Sequence, residues 1–72
     1  MPLVIAPTDV KLRVVKLIVD DRTRKHLENL GIVCNSTLEV LSNSGGSVIC
    51  VIKQGRLALD RTIATKILVA QM

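Results

Sequence analysis

No aromatic residue occurs in this chain: Phe, Trp and Tyr are all absent from its 72 residues. A core without rings has to be built from Val, Ile, Leu and Ala. The β-branched members of that set crowd a helix at χ1 but pack well on a pleated sheet, so the composition leans toward strands. The same absence excludes the stacking platforms that hold single-stranded nucleic acid and the aromatic grooves that read polyproline segments. Histidine occurs once, and the two cysteines, Cys34 and Cys50, form no Cys-x-x-Cys pair, so zinc-site spacing is missing. The longest apolar run, Val48-Ile49-Cys50-Val51-Ile52, falls far short of the roughly 20 residues a membrane-spanning helix needs. The amino terminus has neither a basic leader nor a long apolar stretch. These absences predict a cytoplasmic protein with reduced cysteines and no direct membrane insertion.

What is present points to one dense domain. Hydrophobic residues make up 49% of the chain, ample for a single core, and the net charge is +4. A basic balance invites nucleic acid, acidic lipid or an acidic protein surface as partner. The cations are spread along the chain, however, and only Arg22, Arg24 and Lys25 cluster, accompanied by Asp20, Asp21 and Glu28. An ordinary solvated face is the favoured reading of that cluster.

Along the chain, Pro2 and Pro7 punctuate an extended arm. Arg13 to Val19 reads as a strand with Val15, Leu17 and Val19 on one face and Val14, Lys16 and Ile18 on the other. Asp20-Asp21 offers a helix N-cap. The helix spans about Arg22 to Leu30, with Thr23, Leu27 and Leu30 as its inward stripe, and Gly31 ends it. Asn35 suits a turn residue with positive φ. Thr37 to Leu41 alternates with Leu38 and Val40 inward, Gly45-Gly46 marks a hairpin, and Ser47 to Lys53 reads as a strand covered on both faces. Gln54-Gly55 is a second tight turn before Arg56-Leu57-Ala58-Leu59. Asp60 caps one helical turn through Ile63-Ala64, and Lys66 to Val69 closes the chain as a strand. About five short strands with one short α-helix and one helical turn fit a mainly β, SH3-like barrel, because closure removes exposed edges.

The stretches Asp20 to Ile32, Leu38-Glu39-Val40-Leu41, Gly45-Gly46-Ser47-Val48-Ile49 and Gly55-Arg56-Leu57-Ala58-Leu59-Asp60, followed by Ala64 and Ile67, resemble the ferrous iron transport protein A (FeoA) family. The likeness spans a single domain over residues 1–72, with a core from about Leu3 to Val69. It implies an SH3-type barrel that assists a membrane ferrous iron transporter bearing a cytosolic G-protein region. The same fold recurs, by resemblance, as a C-terminal module of metal-dependent repressors. Two departures stand out: family members often carry Pro-Gly where Cys34-Asn35 stands, and a glycine just before the helix where Val19-Asp20 stands.

The residues leave several chemistries to weigh. Among Asp20, Asp21, His26, Glu28, Cys34 and Cys50, only His26 and Cys34 are even weak metal candidates, so no intrinsic cofactor is expected beyond weak binding of Fe2+ or another transition metal. One histidine, with no cleft-forming insertion, gives no nucleophile–base–orienter set, and the protein reads as a non-enzyme. The alternatives are a GTPase-activating arginine, drawn from Arg22, Arg24 or Arg56, a metal-binding regulatory module, and a weak nucleic-acid-binding barrel, although without aromatic platforms no nucleic acid is expected as partner. The resemblance and the basic, aliphatic surface together predict an accessory docking protein. Arg24, Lys25, Ile32 and Val33 are its expected contact residues, the transporter its partner, and a homo-oligomer is compatible with the sequence.

Overall fold

The computed structural model describes residues 1–72. A 3-10 turn at Leu3–Ile5 precedes strand β1 (Lys11–Leu17), helix α1 (Asp21–Leu30), β2 (Thr37–Ser44), β3 (Ser47–Ile52), β4 (Gly55–Leu59), a short helix α2 (Arg61–Thr65) and β5 (Ile67–Gln71). All strand pairings are antiparallel, in the spatial order β4-β3-β2-β1-β5. The architecture is mainly β and SH3-like. The sheet is not closed: β4 and β5 stay unpaired with each other, and the 3-10 turn packs with α2 against β3 and β5 at the gap.

Local chemistry sets each boundary. The Thr23 amide donates to the Asp20 carboxylate at 2.8 Å and the Ile63 amide to Asp60 at 2.9 Å, capping α1 and α2. At the other end of α1, Gly31 takes φ 103°, while its amide donates to Glu28 O at 3.0 Å and that of Ile32 to Leu27 O at 2.9 Å. This pair of bonds is the Schellman ending, available to glycine without a β-carbon penalty. Gly45 and Gly46, at φ 62° and 95°, make the mirror-image turn that matches the twist of the β2–β3 hairpin.

All sixteen buried residues are apolar, from Leu3 to Val69. Two register shifts decide which residues join them. On β1, Val14 faces Val69 and Lys16 faces Leu68, so Val15 is an extra residue bulged from the ladder. The buried set on that strand is therefore Leu12, Val14 and Leu17, with Val15 45% exposed. This corrects the expected faces, which assumed unbroken alternation. A second shift lies between Val40 and Ser42 and leaves Leu41 exposed. β3 also departs from expectation: Val48, Cys50 and Ile52 point inward, whereas Ile49 is 41% exposed, because nothing packs on its outer side.

Candidate docking surface

Of the four expected contact residues, three are exposed and one is not. Arg24 and Lys25 are exposed on α1. The Arg24 guanidinium reaches back to Leu17 O at 3.4 Å, at the end of β1. Val33 is 38% exposed beyond the other end of the helix, so α1 separates the basic pair from the apolar contact. Ile32 is fully buried, and this removes it from the surface. The reason is the helix ending itself, where the residue after the left-handed glycine turns inward to meet the last turn, here toward Leu27 in the same core cluster.

Past Ile32 the chain forms a braced loop. Asn35 takes φ 72° and its amide donates to Val14 O at 2.8 Å, while its own side-chain oxygen accepts from Arg13 at 3.2 Å. The Ser36 hydroxyl donates to Val33 O at 2.6 Å. Beside this loop lies a cleft of about 330 Å³, lined by Gly31, Val33, Asn35, Ser36, Thr37, Lys53 and Gln54. Lys53 and Gln54 come from the turn between β3 and β4, far off in sequence, and no local motif announces them. The Gln54 amide lies against Gly31, so closely that a β-carbon there would collide with it.

The remaining candidates are scattered. His26 is exposed on α1, Cys34 is exposed in the loop, and Cys50 is buried. The cysteines are unbonded thiols. Burial pushes the Cys50 thiol pKa up, which disfavours the thiolate that a metal or electrophile would need. No three His, Cys, Asp or Glu side chains gather into a metal-holding group. Arg22 and Arg56 are exposed on separate elements, α1 and β4. No helix is long and apolar enough to cross a membrane.

An iron uptake regulatory protein (FeoA) crystal structure superposes with a TM-score of 0.90 at 23% identity, covering all of this chain and 97% of that one. Iron(II) transport protein A from Clostridium thermocellum gives 0.90 at 23% identity, and this chain spans 46% of its length. A manganese-dependent transcriptional repressor in complex with manganese gives 0.87 at 21% identity, with 36% of that chain covered. At such identities the superpositions establish the fold alone. No curated protein sequence matches the chain significantly. The family model for the FeoA domain matches residues 1–71, and the chain therefore belongs to the FeoA family.

Proposed function

We propose that this protein is a cytoplasmic accessory protein of ferrous iron uptake, acting without catalysis by docking to the cytosolic part of a membrane Fe(II) transporter. The observation that carries the reading is the family match over residues 1–71. The names of the similar structures, iron uptake regulatory protein and iron(II) transport protein A, agree with it. The rigid helix ending supports a docking role. A Schellman turn, a bonded Asn35 and a braced Ser36 hold Val33 outward at the mouth of a cleft, so little order has to be gained on binding.

Arg24, Lys25 and Val33 form the contact set of this proposal, with Ile32 acting as an anchor beneath it. A pulldown with the transporter's cytosolic domain tests it. Arg24→Glu and Val33→Asp are each expected to weaken capture by about fivefold or more, since a reversed rim charge and a charge placed on an apolar contact both oppose association. Undiminished capture by both variants removes this surface.

A further inference from the structure

The surplus of positive charge does not lie on α1. Counting its cap, that helix carries Asp20, Asp21 and Glu28 against Arg22, Arg24 and Lys25, which cancel. Strand register places the surplus on the outer face of the sheet instead. Lys11 stands opposite Glu39 and Arg13 opposite Thr37. Glu39 stands opposite Val51, and Val51 opposite Arg56. Directly opposed residues project to the same side of a sheet, here the side away from the buried Leu12, Leu38, Cys50 and Ile52. Lys53 adds a cation from the adjoining turn, so this face carries Lys11, Arg13, Lys53 and Arg56 against one carboxylate, that of Glu39.

This face is also concave. A cleft of about 320 Å³ runs between Lys11, Thr37, Glu39, Val51 and Lys53. It shares Thr37 and Lys53 with the cleft beside Val33. Cations stand at both sides, a half-buried valine forms part of the floor, and a half-buried carboxylate lies between them.

We propose that this cleft binds an extended acidic segment of a partner protein, with carboxylates meeting Lys11 and Lys53 and an aliphatic side chain resting on Val51. Charge complementarity selects such a segment and speeds its encounter. Glu39 decides against nucleic acid. A uniformly negative backbone would meet that carboxylate with no ring on the protein to stack upon, whereas a peptide can turn a backbone N–H toward it. The inference does not rest on the transporter reading and uses none of its three contact residues.

Fluorescence anisotropy with a short labelled peptide of alternating Glu and Val, against a Gln–Val control, tests it at low salt. Lys11→Glu combined with Lys53→Glu is expected to weaken the Glu–Val peptide by about tenfold or more, and Glu39→Gln to tighten it about twofold. Lys66→Glu alters one charge elsewhere on the surface and is expected to leave affinity within about twofold. Unchanged thermal unfolding of the variants keeps folding out of the comparison. Equal binding of the Gln–Val peptide, or indifference to the double reversal, overturns the proposal. Tighter binding of oligothymidine than of the peptide, lost in the same double variant, also overturns it and assigns the cleft to nucleic acid.

Discussion

The two thiols differ by environment alone. Cys50 is fully buried, its Sγ 3.6 Å from Leu57 O, and desolvation raises its pKa; Cys34 stands exposed in the loop after α1. Alkylation by iodoacetamide at neutral pH should therefore modify Cys34 in the folded protein and reach Cys50 only in denaturant, as mass spectrometry of the two states can read. Both positions were legible in the sequence, because the middle of an apolar run and an Asn-containing turn differ plainly in exposure. Ile32 was not read correctly. It follows the helix-ending glycine that the sequence announces, yet the inward turn of the next residue is a property of the whole ending and not of Gly31 alone.

Helix α1 owes its start to one carboxylate. The Thr23 side chain first, and its backbone amide second, hold the Asp20 carboxyl below its ordinary pKa, with Lys66 and Arg22 helping. A folded-state pKa that is lowered contributes stability above the unfolded value and loses it as pH falls through the folded one. Asp20→Asn keeps an accepting oxygen but cannot ionise. Its melting temperature is expected to lie below wild type at neutral pH, and the gap should close in the acidic range beneath the ordinary carboxylate pKa. A gap constant down to that range would show that charge plays no part in the cap. The strands were less legible than the helices, for a physical reason. Caps and terminal glycines are local signals, whereas the bulges at Val15 and Leu41 arise from how two distant strands meet. A single extra residue turns every later side chain to the other face, so the start of β1 and its end obey different parities. That Lys53 and the loop after α1 line one cleft was invisible for the same reason.

At the scale of the whole molecule, the N-terminal arm is part of the core. Leu3 is fully buried in the 3-10 turn that packs against α2, β3 and β5. Leu3→Ala should cost about 3 kcal/mol, a large share of the few kcal/mol that a chain this small commands. It should appear as a lower urea midpoint with an unchanged slope; a midpoint near wild type would mean the arm only rests on the surface. The arm also treats the two borders of the sheet unequally. Met1 exchanges two 2.7 Å bonds with Val69, and Pro2 bridges Leu68, so part of the outer side of β5 is already occupied. No strand lies beyond β4. Growth by adding strands therefore has one open port per molecule. Two copies joined there would each use up the port of the other, giving a symmetric pair with no free end. A fibre needs two ports on every subunit, and the backbone of this fold leaves only one fully open.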